Sequence, residues 1–259
     1  MSWITQTLSS SIGRKLTMAL SGLFLCSFLA VHLVGNLQLF KDDHGLAFNE
    51  YAVFMTTNPL IKTVSYGLYA LILFHAFQGF YLAYLNKKAR PTAYAVTDGA
   101  ANSSAFSRNM ALLGTLLLVF IAAHMSDFWY EYKFGHVPYT KYEQNIYTGE
   151  LKHESLGKDF QMTGKKQEFM KDENTRVVIL KDLYEEVEEE FKSIGLVLFY
   201  LISMIAVSFH LVHGFKSAFQ TLGLNHPKYN GIINFIGVVG FGILIPLAFA
   251  AMPIYFFLK

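Results

Sequence analysis

The chain has 259 residues, 53% of them hydrophobic and 15% charged, with a mean hydropathy of +0.33. A soluble domain carries roughly 45–50% apolar and about 25% charged residues, so this composition excludes a disordered chain and an ordinary soluble enzyme. A formal net charge of +2 gives no strong field for nucleic acid, and the single cysteine, Cys26, excludes a disulfide scaffold, a CxxC zinc site and a cysteine-ligated cluster.

Residues 1–13 read as a short interfacial lead-in, anchored by Trp3. Five stretches then carry no Lys, Arg, Asp or Glu: residues 16–40, 63–86, 109–126, 193–215 and 229–258. Each is long enough to cross about 30 Å of hydrocarbon as a helix, and a helix satisfies its own backbone hydrogen bonds there. The expected fold is an all-α membrane protein. Its single transmembrane domain has five helices over about 15–40, 61–86, 108–132, 191–220 and 230–257. The first run is longer than the roughly 7–15-residue core of a signal peptide, and no small-residue cleavage site follows it. Cys26 lies in this run and reads as a small buried hydrophobe.

Residues 133–190 are expected as a long extracytoplasmic loop insertion. The connection 132–192 holds 10 basic and 13 acidic residues. Its first part is aromatic and polar, and residues 182–191 carry a polar helical pattern that reads as an outward extension of span four. In span five, Gly231, Gly237, Gly240 and Gly242 suggest helix packing, and Pro246 and Pro253 suggest a kink.

Orientation follows from the short connections. Arg14, Lys15, Lys87, Lys88, Arg90, Arg108, Lys216 and Lys228 share one side, against Lys41 and Lys62 on the other. The positive-inside rule places the N-terminus in the cytoplasm and the C-terminus outside. Long loops cross largely regardless of charge, so the insertion does not disturb this count.

Five of the nine histidines lie within the spans: His32, His75, His124, His210 and His213. Ionisable residues inside a membrane are costly and point to function. At about 1.5 Å per residue, His32 and His124 each lie about 12 Å from the outer ends of spans one and three. His75 and His210 lie about 15–16 Å from the inner ends of spans two and four. The four thus form an outer pair, His32/His124, and an inner pair, His75/His210, offset by roughly 12 Å along the helices. Two histidines at one depth on two helices suit the two axial positions of a haem iron. The expectation is a bundle of the first four helices holding two haems b. Gly67 and Gly79 on the His75 face, Ser21 and Gly35 near the His32 face, and Ser203, Ala206, Gly214 and Ser217 near the His210 face leave room for a porphyrin; small residues also serve close helix packing. Arg14, Arg108 and Lys216 are candidate propionate partners. Copper or zinc clusters want their ligands at one depth, a bc-type cytochrome b puts two histidines on each of two helices, and c-type attachment needs CxxCH, which is absent.

The histidine contexts carry a resemblance. His-Leu-Val-Gly-Asn at 32–36, His-Ala-Phe-Gln-Gly at 75–79, Arg-Asn at 108–109 ahead of His124, and His-Leu-Val-His-Gly-Phe at 210–215, with residues 48–55 before span two, resemble the dihaem cytochrome b membrane anchor of the succinate:menaquinone oxidoreductase and quinol:fumarate reductase family. The resemblance covers the five spans. In that family each of the first four helices gives one ligand, the first pairing with the third and the second with the fourth. Asn often stands at the position of His213, which makes His210 the ligand and His213 a neighbour of the ring or of a propionate. The insertion is longer than in compact members of the family.

The resemblance implies a membrane anchor and electron-transfer subunit in the bacterial cytoplasmic membrane. An FAD flavoprotein subunit and an iron–sulfur subunit sit on its cytoplasmic side, and menaquinone is the quinone. FAD and iron–sulfur clusters belong to those partners alone, succinate and fumarate chemistry is not performed by this chain, and a homo-oligomer of the complex stays open. Quinone-site candidates near the outer pair are Asn36, Gln38, Glu50, Asp127 and Trp129. Asp127 stands one turn from His124 and Glu131 one turn further on one face, where either could take up a quinone proton. Two other readings stay open. One is the cytochrome b anchor of a hydrogenase or formate dehydrogenase, and the other a non-haem, proton-coupled transporter that would be colourless.

Overall fold

The computed structural model describes residues 2–92, 98–157 and 159–259. It is 71% helical, and five helices are long and apolar enough to cross a membrane: Ser11–Phe40, Pro59–Lys88, Met110–Phe134, Ile194–Thr221 and Pro227–Leu258. These mark a multi-pass membrane protein.

Local chemistry fixes the helix ends. Span one follows the short helix Trp3–Ser9, and the extended backbone of Ser10 separates the two. Gly13 lies so close to the carbonyl of Thr7 that a side chain there would collide with it. Asn58 caps span two, its Oδ1 accepting from the amides of Leu60 (3.0 Å) and Ile61 (3.2 Å), with Pro59 in the first turn. Gly223, at φ +76°, ends span four in the left-handed conformation that glycine adopts without strain. His226 Nδ1 accepts from the amide of Lys228 ahead of span five, whose first residue is Pro227.

Two spans contain stretches of wider, π-helical turn: Met125–Tyr130 in span three and Ile236–Leu244 in span five. In span five this irregularity ends two residues before Pro246. Gly237 faces the Phe215 ring and Gly242 faces Val212, so both serve packing, whereas no described residue comes within 4 Å of a Cβ at Gly231.

The all-α expectation is corrected by the insertion, which contains a four-stranded antiparallel sheet in the order β2-β1-β4-β3. Its strands are β1 (Tyr139–Asn145), β2 (Leu151–Ser155), β3 (Lys166–Met170) and β4 (Thr175–Lys181). The central strands β1 and β4 pair from Tyr139↔Lys181 to Asn145↔Thr175. The outer strands β2 and β3 are short and mostly exposed. The polar pattern at 182–191 is a separate helix, Leu183–Glu190, capped by Asp182 and set off from span four at residues 191–193.

The chain divides into two compact units. The first comprises Met1–Val31, Tyr66–Phe120 and Tyr200–Ala250; the second comprises His32–Ser65, Ile121–Phe199 and Ala251–Lys259. In the first, Gln78 is buried and donates to the Arg14 carbonyl (2.5 Å) and to Thr17 Oγ1 (2.6 Å). Ser208 Oγ donates to the carbonyl of Gly242 (2.5 Å). Cys26 is buried and free. In the second, Leu46 and Val53 of the helix Leu46–Thr57 pack on Tyr142, Val178 and Leu180 of the sheet. A buried polar network ties these elements together. Asn49 Nδ2 donates to Asp182 Oδ1 (2.7 Å) and Tyr142 Oη (3.1 Å), its Oδ1 accepts from the Tyr184 amide (3.0 Å), and Tyr142 Oη donates to the His44 carbonyl (3.0 Å). Every member has a partner, as a buried polar group requires.

Candidate functional site

Each unit brings two of the intramembrane histidines together from different spans. In the first unit the rings of His75 and His210 have centroids 6.4 Å apart, inclined at 64°. In the second, His32 and His124 stand 5.9 Å apart at 80°. With a metal–imidazole bond of about 2.0–2.1 Å on either side, the ring centres of an axial pair stand roughly 6 Å apart. The ring separations of both pairs match that spacing.

The surroundings of the first pair are made by small residues. Nδ1 of His75 lies 2.9 Å from Ser21 Oγ, which also donates to the carbonyl of Met18 (3.0 Å). With its one proton directed to the Met18 carbonyl, Ser21 Oγ has lone pairs free to accept from His75 Nδ1–H in the tautomer that carries it. The Nε2 lone pair of His75 is then left for a metal, with the other ring nitrogen oriented as metal-binding histidines are. Ser21 thus serves His75 rather than lying at His32, as the small-residue pattern suggested. A Cβ on Gly22 would stand 3.4 Å from His75 Cε1, and one on Gly114 would stand 3.9 Å from His210 Cε1. Sequence reading did not single out these two glycines. Gly67 and Gly214 face open space, and Gly79 faces Met18 Cε. Nδ1 of His210 is buried without a hydrogen-bond partner among the described residues. His213 lies one turn beyond His210, half-buried.

At the second pair, Asn36 Nδ2 donates to the His32 carbonyl (2.7 Å) and lies 3.2 Å from His32 Nδ1. Gly35 is covered by the ring of Tyr51, which leaves no space for a Cβ. His124 stacks edge-on against Phe128 at 5.4 Å.

The remaining candidates sit with different partners. Glu50 is ion-paired to Arg176 of β4 (2.7 Å) and Lys166 of β3 (3.2 Å), so it links the helix Leu46–Thr57 to the sheet. Gln38 Oε1 accepts from Lys41 Nζ at 3.5 Å. Trp129 meets Phe134 at 5.7 Å and lies under Lys133 Nζ at 5.0 Å. Asp127 is half-buried. The expectation that His124, Asp127 and Glu131 share one face is corrected by the wide turn Met125–Tyr130. Residues three and four apart stack only on a regular α-helix. Glu131 turns back against Gly135.

Of the propionate candidates, Arg108 donates to the carbonyls of Gly99 (2.6 Å) and Ser103 in its own connection. Arg14 lies 5.6 Å over the Tyr81 ring. Lys216 lines a polar cavity with Gln220, Asn225, Asn230 and Asn234. Among the described residues no three of His, Cys, Asp and Glu converge as they would on a bare metal ion.

Outside the spans, electrostatics centre on the sheet. Arg176 and Lys166 hold the Glu168 carboxyl at about 2, and Lys141 and Lys171 do the same for Glu143. His44 and His153 stack at 3.9 Å, and burial, then the neighbouring imidazole, push the His153 pKa down.

Comparison with family models, curated proteins and solved structures returned no match.

Proposed function

We propose that this protein is a dihaem cytochrome b anchor of the succinate:menaquinone oxidoreductase and quinol:fumarate reductase type. One observation carries the reading: two histidine pairs, each drawn from two different apolar spans, with ring centroids 5.9 and 6.4 Å apart. His32 and His124 would hold one haem b, and His75 and His210 the other. Bound haem supplies one-electron redox chemistry, whose potential the axial ligands and their hydrogen bonds tune.

The chain's own residues then have definite tasks. Ser21 fixes the tautomer of His75. The apolar spans keep water from both pairs. Asp127 is the carboxylate nearest in sequence to His124, and it relays a proton from water to the quinone on reduction, or from the quinol to water on oxidation. The basic connections, from Arg14 to Lys228, face the cytoplasm of a bacterium and dock the iron–sulfur subunit, with the flavoprotein subunit beyond it. The chain carries electrons between that subunit and menaquinone, and the chemistry of succinate and fumarate stays with the partners.

Haem b per chain, measured in the purified complex by pyridine haemochrome, tests the reading. Two haems support it. A colourless protein overturns it in favour of a proton-coupled transporter, and copurification with a hydrogenase or formate dehydrogenase assigns the anchor to that enzyme instead.

A further inference from the structure

Tyr132, in the last turn of span three, is buried and surrounded by ammonium groups. Lys181 Nζ donates to its carbonyl (2.7 Å) and lies 5.4 Å from its ring centre. Lys165 Nζ stands 4.2 Å from the same ring centre. Lys165 and Lys181 are joined through the backbone, the Lys181 amide donating to the Lys165 carbonyl (3.1 Å). Lys133 follows Tyr132 directly, with Nζ over the rings of Trp129 (5.0 Å) and Phe134 (5.8 Å). Lys62 lies in the first turn of span two and adds to the positive charge felt at Lys165.

Glu131 and Glu186 act on Lys181. No salt bridge among the described residues reaches Lys62 or Lys165, while the adjacent Lys166 is taken by Glu50 and Glu168. Burial and the crowding of Lys181, Lys133 and Lys62 hold the Lys165 ammonium down at about 8. Like charges held this close call for an anion.

The position says which anion. Lys62 and Lys133 sit at the ends of apolar spans, where hydrocarbon gives way to headgroups. Leu60, Tyr130 and Phe134 beside them are exposed apolar side chains of the kind that acyl chains cover. We propose that Lys165 and Lys181 against Tyr132, with Lys62 and Lys133 at the neighbouring span ends, form a site for the headgroup phosphate of an anionic phospholipid. Aromatic rings and lysines at a span end take the interface, and the lysines take the lipid charge. The site uses none of the intramembrane histidines and does not depend on what they bind.

Native mass spectrometry of the full-length protein, taken from phosphatidylcholine vesicles containing phosphatidylglycerol, tests this. The expected result is retained phosphatidylglycerol in preference to phosphatidylcholine. Lys62→Gln with Lys165→Gln lowers that retention by about fivefold per lysine removed. Lys133→Gln, at an exposed position, gives a second reading should the double variant fold poorly. Equal retention of the two lipids, or unchanged retention in all variants, overturns the site. Displacement of the lipid by millimolar inorganic phosphate overturns its assignment to lipid and leaves a free-anion site.

Discussion

The two units hold similar histidine pairs in opposite electrostatic settings. The first has eight basic residues against one acidic residue, Asp98; the second has 13 basic residues and the other 18 of the 19 carboxylates. Ser21, Gly22 and Gly114 stand against the rings of His75 and His210, and the spans of these two histidines carry no carboxylate. His32 and His124 belong to a unit with Asp127 on the span of His124, a buried Asn49–Tyr142–Asp182 network and an ion-paired sheet. On the proposed dihaem reading, the difference would separate two tasks. A pair without nearby carboxylates can pass electrons without taking up protons, whereas quinone chemistry needs both, and groups able to handle protons are concentrated with His32 and His124.

The largest expected effect tests whether the pairs are independent. If each pair holds a haem as proposed, His75→Ala should lower haem from two per chain to one, leaving the spectrum of the His32/His124 centre; His124→Ala should leave the complementary spectrum. His213→Ala should keep both. Loss of both haems from either single variant would merge the two sites. Asp127→Asn comes next. It should slow quinone turnover by tenfold or more while both haems stay bound, because a positioned acid or base contributes about 10²–10⁴-fold. Normal turnover in steady-state assays of that variant removes Asp127 from the mechanism.

How legible was this arrangement? The spans were readable because an apolar run without charge is nearly the only sequence a membrane accepts, and five helices long and apolar enough to cross are present. The histidine pairs emerged from depth along oppositely directed helices, a quantity that the sequence counts directly. Other features depend on long-range partners. Glu50 reads as a boundary carboxylate, yet its partners Lys166 and Arg176 lie more than a hundred residues away on the sheet. Strands β2 and β3 are exposed and charged, so they lack the apolar alternation that marks a strand. The wide turn at Met125–Tyr130 contains neither Gly nor Pro to announce it.

Smaller effects sharpen the contrast within each unit. Asn49→Leu removes the donor to Asp182 and Tyr142 and leaves a buried carboxylate short of a partner. A loss of about 1–3 kcal/mol is expected. It should appear as a lower unfolding midpoint in thermal scans that affects the His32/His124 haem first. Ser21→Ala acts only on the other pair. Without an acceptor for Nδ1–H, His75 becomes a weaker electron donor, so the midpoint potential of its haem should rise in a redox titration while that of the second haem stays fixed. Haem affinity should fall by about 10–100-fold, as for other groups that orient a ligand. A shift in both potentials would mean that the pairs share one environment.

The smallest effect is a pH dependence confined to the second unit. Arg176 and Lys166 hold Glu168 at about 2 in the folded state, against an ordinary value of 4.5. A carboxyl with a depressed folded pKa contributes its stability above the unfolded value and loses it as pH falls through the folded one. The contribution is therefore complete above about 4.5 and fades toward about 2. Glu168 is 40% exposed, so solvent screens the pair and the effect is small. Acid titration followed by absorbance should perturb the His32/His124 haem before the other, and Glu168→Gln should flatten part of that early phase. The first unit has no ion-paired carboxylate among its described residues, so simultaneous loss of both haems, unchanged by Glu168→Gln, would remove the sheet from any role in supporting its own pair.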